Sequence, residues 1–302
     1  MSMALIVTQE QAAVTYKILD SILADVDESS RYTYRQAIEQ YLAWVLRQRE
    51  NPYYNAYTLL VDYRSFLKEL YAPATVNKRL SAVRKLYEFA ASYNLIDYAQ
   101  SVRIKGLKNV ENDEGEFKIW LAQDVASQLF NAPDTTTVIG RRDKTALLLL
   151  LVLCLRREEA VNVRWEQLKQ VEGRWFLLNV KGKSKDSRSI RIPDQYMSIL
   201  EAWKNDGTSD YILTSVGRDS KKGERLSKTS VNTKIVNKYR DQLGIDVTPH
   251  ALRRTGATIA VRQGAQVEQV RKMLGHQTER TTRIYLQDAL ELDDSATQYI
   301  EL

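Results

Sequence analysis

The chain of 302 residues contains two histidines, and both precede Tyr285 closely. His250 opens the stretch PHALRRTGAT with Arg253 three residues on, and His276 follows Leu274-Gly275, nine residues before the tyrosine. On a helix a spacing of three turns two side chains to one side, so His250 and Arg253 can face a single ligand. Taken alone, H-x-x-R is more often a surface pair, and among 17 tyrosines a lone Tyr285 is more often a packing residue. A third group closes the apolar run Ala146–Leu155, where LRREE sets Arg156 at the rim of a buried helix and Glu159 one turn further. A charge at such a rim needs a partner or a ligand, and an Arg156–Glu159 ion pair is the plain alternative. The fourth group is the turn KGKSKDS, with Lys181, Lys183 and Lys185, followed by Arg188; by default it is an exposed basic loop. Guanidinium and amine groups suit an anion, while imidazole and phenol supply proton transfer and a nucleophile.

The elements that must position these groups fall into two parts. In the first third, Ser29–Ser30 can cap a helix with the stripe Tyr34, Ile38, Tyr41, Leu42 and Val45. A second stripe covers Tyr57–Leu70, and a third follows Pro73 and Thr75 with Leu80, Val83, Leu86, Tyr87 and Ala90 on one face. This predicts a helical bundle over residues 1–108. The polar, acidic stretch NVENDEGE at 109–116 reads as a linker. A second domain over 117–302 opens with helical patterns at Ala122–Phe130 and Arg142–Val163. Strands follow at Arg174–Val180 and Arg188–Ile192, and helical spacing returns from Ser227, with Gly264 and Gly275 at helix ends. The expected fold class is mainly α with a small antiparallel sheet.

Lys and Arg total 44 against 38 Asp and Glu, and 44% of residues are apolar, enough for two cores. The tail Gln287–Leu302 holds five acids and no base, so residues 1–286 carry 44 bases against 33 acids. Such a surplus favours a polyanionic partner. The longest apolar run is half a membrane span, which needs about 20 residues. One cysteine, Cys154, cannot form an internal disulfide, and one Cys with two distant His cannot build a usual zinc site. No metal, no cofactor and an intracellular location are therefore expected. Between Pro73 and Lys108 seven bases face two acids. Thr75, Asn77, Lys78, Arg79, Arg84 and Lys85 lie mainly off the apolar stripe there, suited to phosphate contact with some base reading, or to an ordinary solvated face. Lys221–Lys238 is a second basic stretch with the same two readings.

In order and at these intervals, L-R-R-E-E, the lysine-bearing turn before Arg-Ile-Pro, H-A-L-R-R-T, L-G-H and the final Tyr resemble the tyrosine recombinase (phage integrase) family. The helix T-V-N-K-R-L-S-A-V-R is similar to that family's core-binding domain. The resemblance implies that Tyr285 is the nucleophile and that Arg156 and Arg253 clamp the scissile phosphate. It places His250 and His276 at the two histidine positions, Glu159 as the acidic support, and Lys185, with Lys183 as runner-up, as general acid. It also implies double-stranded DNA bearing a specific site as substrate, and a 3′-phosphotyrosyl intermediate and Holliday junction formed without ATP or metal. A homotetramer docked through the tail at about 286–302 belongs to the same expectation. So do accessory or directionality proteins and a cytoplasmic, nucleoid-associated setting in a bacterium, phage or mobile element. Cys154 departs from the family pattern, where a glycine is common before Leu-Arg, as does the charged pair Arg157-Glu158. Type IB topoisomerase-like relaxation and a non-catalytic DNA-binding regulator are the rival readings.

The chemistry suits these residues. Guanidiniums stay charged at any working pH and meet phosphate oxygens in bidentate fashion. A phenol with an ordinary pKa of about 10 must lose its proton as it attacks. The departing alkoxide needs a proton, and no Walker-type loop or carboxylate cluster offers another route.

Overall fold

Apolar residues at helical spacing and a few capping side chains account for most of the elements in the computed structural model. It describes residues 9–48, 55–111, 120–182, 187–217, 219, 221–283 and 286. These fall into two units, 1–115 and 116–302. The first contains α1 (Gln9–Asp25), α2 (Glu28–Arg47), α3 (Ala56–Leu70), α4 (Pro73–Ser92) and α5 (Tyr98–Lys105). Asn55 caps α3 by accepting from the N–H groups of Tyr57 and Thr58, with Thr58 Oγ1 answering the Asn55 N–H at 2.9 Å. Pro73 opens α4, where its missing N–H costs nothing. Tyr41, Leu60, Tyr63, Leu80, Val83 and Ile104 form the core, and the Tyr41 and Tyr87 hydroxyls bond each other. Two details differ from the sequence-based expectation. Helix α1 precedes the first predicted stripe, burying Ile18, Leu19, Ile22 and Leu23, and α2 starts after Asp27, ahead of Ser29–Ser30.

The second unit begins with α6 (Gln123–Asn131) and α7 (Val138–Leu147), which widens into a π turn at Leu148–Val152 before α8 (Arg157–Asn162). A three-stranded antiparallel sheet follows: β1 (Leu168–Val171), β2 (Arg174–Lys181) and β3 (Ser187–Ile192), in that order. After α9 (Met197–Lys204) come a hairpin of β4 (Thr214–Val216) and β5 (Lys222–Arg225), then α10 (Lys228–Ser230). That helix runs through a second π turn, Val231–Val236, into α11 (Asn237–Leu243). α12 (Pro249–Arg262) and α13 (Val267–Leu274) complete the described elements. The mainly helical class with small antiparallel sheets is the expected one. Gly264 and Gly275 stand just beyond α12 and α13 with φ of 96° and 63°.

The single helix expected over Arg142–Val163 is broken. The Leu153 N–H bonds the Leu148 carbonyl, the widened π pattern, and Cys154 follows with φ of 50°. Packing imposes this. α12 crosses so close that a Cβ on Gly256 would lie 1.8 Å from the Leu151 carbonyl oxygen and 2.7 Å from Cys154 Sγ. A straight apolar helix would have carried Arg156 onward along its axis. The break turns the chain so that Arg156, with extended backbone, starts α8.

Candidate active site

Three elements meet at Glu159. As the third residue of α8 it is 5% exposed, and its carboxylate reaches back to accept the Arg156 N–H at 2.8 Å and Arg156 Nη1 at 2.8 Å. Arg188, from β3, donates Nη1 and Nη2 to the two Glu159 oxygens at 3.0 and 2.8 Å. Arg253, from α12, stands 3.5 Å from the same carboxylate. Burial by itself would push the Glu159 carboxyl up. The hydrogen bond and charge of Arg188, the Arg156 N–H and the charge of Arg253 outweigh it and hold the group down at about 2. Among the described residues three guanidiniums gather on one carboxylate, a local surplus of positive charge of the kind that suits an anion.

Each cation is held by backbone as well as by charge. Arg253 donates Nη1 to the Cys154 carbonyl and Nη2 to the Leu274 carbonyl, each at 2.5 Å, and its side chain is 1% exposed. The strained Cys154 therefore has a structural task, since its left-handed conformation accompanies a carbonyl turned to Arg253. A glycine would adopt that φ without strain. Arg188 donates Nε to the Met273 carbonyl at 2.7 Å and runs beneath Gly275, where a Cβ would come within 2.9 Å of Arg188 Cδ. Gly275 is thus required twice, for its positive φ and for this contact. Arg156 differs from the others in keeping 34% of its side chain in solvent. Arg156 is thus the most accessible of the three arginines.

The histidines arrive from α12 and from the turn after α13. Thr248 caps α12 by accepting the Ala251 N–H, and Pro249 leads, which sets His250 in the first turn at the surface and Arg253 one turn deeper. His276 follows Gly275, and its Nδ1 lies 3.0 Å from Oγ1 of the fully buried Thr282. Burial, reinforced by the charges of Arg253, Arg156, Arg188 and His250, drops the His276 imidazole to about 4. It is therefore neutral at physiological pH, a hydrogen-bonding group and not a cation.

The structure thus brings Arg156, Glu159, Arg253 and His276 together, with His250 near enough for its charge to act on His276. Tyr285, Lys185 and Lys183 lie outside the described residues, as does the tail beyond Leu286. Leu286 itself is 1% exposed and packs with Cys154, Ala257, Val270 and Leu274, beside the arginine cluster. A cleft of about 780 Å³ opens from Arg156 and Glu159 past Asn162 to Lys181 and Gly182 on the β2–β3 hairpin. Arg188 is the member that reading the loop as exposed overlooks. Its signal is parity: it shares the inward face of β3 with the buried Ile190 and Ile192.

The six residues singled out in the first unit divide. Asn77 bonds both backbone groups of Val110, at 2.8 and 2.9 Å. Arg84 donates to the Leu107 carbonyl and to Asn109 Oδ1, at 2.5 and 2.8 Å. Arg79 bonds Gln40 and stacks 4.1 Å over Tyr71, and Lys85 pairs with Asp25 at 2.5 Å. Thr75 and Lys78 stay exposed.

Comparison with known proteins places this geometry in context. The profile described as phage integrase family matches residues 119–291. The chain is 27% identical over 262 residues to the tyrosine recombinase XerD of Lacticaseibacillus casei, covering 85% of this chain and 87% of that one. It is 28% identical over 236 residues to the tyrosine recombinase XerC of Oceanobacillus iheyensis, covering 74% of each. Among solved structures it resembles the XerH site-specific recombinase bound to palindromic difH substrate in a post-cleavage complex. That match has a TM-score of 0.75 at 16% identity and covers 99% of this chain and 92% of that one. It also resembles a lambda integrase dimer bound to a COC′ core site, with a TM-score of 0.66 at 17% identity, covering 88% and 96%.

Proposed function

We infer that this chain, which belongs to the phage integrase family, is a site-specific tyrosine recombinase that cuts and rejoins double-stranded DNA by phosphoryl transfer. The observation that carries the reading is the convergence of Arg156, Arg188 and Arg253 on one buried carboxylate, with a neutral histidine at their side. In this reading Arg156 and Arg253 meet the non-bridging oxygens of the scissile phosphate. Tyr285 Oη attacks phosphorus and loses its proton, and the bond from phosphorus to the 5′ oxygen breaks. Lys185 gives that oxygen its proton, so that a 3′-phosphotyrosine and a 5′-hydroxyl result. His250 and His276 hydrogen-bond the phosphate and help move the tyrosine proton. Glu159 keeps the arginines aimed. An ester replaces an ester, so a hydroxyl of another strand reverses the step without ATP, by way of a Holliday junction.

Leu286 supports delivery of the tyrosine next to it in sequence, since it is anchored against Cys154, whose carbonyl holds Arg253. The remaining tail docks on a neighbouring protomer in a tetramer; truncation at Asp293 that leaves tetramers intact would refute this. In the first unit Thr75 and Lys78 are exposed for the DNA backbone, Arg79, Arg84 and Lys85 contribute through the field of the same face, and Asn77 contributes by holding the chain at Val110. The test is a suicide DNA substrate offered to the wild type and to Tyr285→Phe. A covalent adduct with wild type alone is expected, and equal adducts from both reject the assignment. For Lys185, a 5′-bridging phosphorothiolate, whose sulfur leaves unprotonated, should rescue Lys185→Ala.

A further inference from the structure

The basic stretch Lys221–Lys238 is not consumed by the site at Glu159, and part of it lines a second pocket. This pocket, about 330 Å³, lies between the start of α7, the β4–β5 hairpin and the α10 end of the long helix. Arg142, Arg225 and Lys234 line it together with Ser215, Ser227 and Ser230, and among the described residues no carboxylate does. Arg142 is 6% exposed. Its Nε is held by Asp143 Oδ1 at 2.7 Å, while no described residue accepts from its Nη groups. Asp143 is fully buried and shares its charge with Lys238 Nζ at 3.1 Å and Tyr239 Oη at 2.9 Å. The arginine is therefore oriented without being neutralised alone. Ser230 Oγ accepts from Ser227 at 3.0 Å, which leaves its own proton to donate. Three cations, Arg142 and Arg225 held by side-chain bonds and Lys234 exposed, with hydroxyl donors around a small concave volume suit a phosphate.

The second pocket shares a wall with the cleft beside Arg156. Arg225 bonds Asn162, and Lys228 Nζ bonds Glu158 Oε1 at 2.8 Å; Asn162 and Glu158 both line that cleft. We propose that the Arg142–Arg225–Lys234 pocket binds one non-scissile backbone phosphate of the duplex on which the active site acts. It would fix the register of the strand relative to Arg156. The proposal rests on the recombinase reading of the neighbouring cleft.

The experiment measures duplex affinity by fluorescence anisotropy as KCl is raised, using the full chain in a Tyr285→Phe background so that no cleavage intervenes. Each phosphate contact contributes about 0.9 to the slope of log affinity against log salt. Lys234→Gln should lower that slope by about one contact, so that a fourfold rise in salt weakens it about threefold less than the parent. Ser230→Ala should weaken binding at low salt with the slope kept, because it removes a neutral donor. Lys221→Gln, a solvent-exposed lysine of the same stretch outside the pocket, is the control and should shift the slope less. Equal slopes for Lys234→Gln and parent overturn the pocket while leaving the recombinase reading intact. So does an equal shift from Lys221→Gln, which would reduce the effect to a general surface field. Absence of salt-dependent duplex binding by the parent itself overturns both.

Discussion

The two units use arginine in opposite ways. Around Glu159, Arg156, Arg188 and Arg253 are drawn to one carboxylate, and Arg156 also lines the cleft beside it. On α4, Arg84 and Arg79 spend their donors on carbonyls, an amide and an aromatic face of their own unit, and the exposed bases are left to meet solvent. The difference teaches that a count of bases does not locate an anion site. What locates it, among the described residues, is cations outnumbering the carboxylates that orient them, where water is largely excluded.

The sharpest way to break the contrast is to remove the carboxylate. Glu159→Ala leaves three guanidiniums facing one another and is expected to cost about 3–5 kcal/mol of stability in urea unfolding, together with loss of DNA cleavage. Next in size is the acid limb. Glu159 titrates near 2 in the folded chain and near 4.5 ordinarily, so its contribution is complete above about pH 4.5 and fades as pH falls toward 2. It amounts to about 3 kcal/mol. The stability difference between wild type and Glu159→Gln should shrink over that interval; a constant difference would show that the carboxylate is not held low. His276 points the same way: its protonation, followed by NMR, should centre near 4, well below the ordinary 6.5.

A smaller effect sharpens the part played by packing. Gly256→Ala must push α12 away from Leu151 and is expected to cost about 1–3 kcal/mol, with cleavage reduced further than stability because Arg253 rides on the same helix. In the first unit, Arg84→Met should cost about 1 kcal/mol through its carbonyl bond and speed proteolysis after Leu107, and the loss of its charge should weaken duplex binding less than the loss of the exposed Lys78. Lys78→Gln is the smallest in stability, within about 0.5 kcal/mol, and should appear in the salt slope of DNA binding instead.

Much of this architecture is legible from patterning. The stripes of α3 and α4, the strands β2 and β3, and the glycines after α12 and α13 follow from periodicity and cap chemistry, which are local. The break after the π turn does not. Ala146–Leu155 is apolar throughout, and only the close crossing of α12 over Leu151, permitted by Gly256, makes a straight helix impossible. Arg188 was half legible: its place in the basic turn suggested solvent, its parity with Ile190 and Ile192 suggested the core, and the partner that decides between them, Glu159, lies 29 residues away.

Residue types and order alone therefore determined the family resemblance, the helical class and the identity of the charged groups, because ordered motifs and hydrophobic periods are written along the chain. Only the tertiary structure decided which cations share a carboxylate, which histidine is held neutral and which bases are used up inside their own unit. Those outcomes depend on distance and desolvation between segments far apart in sequence, and neither quantity is encoded in local spacing.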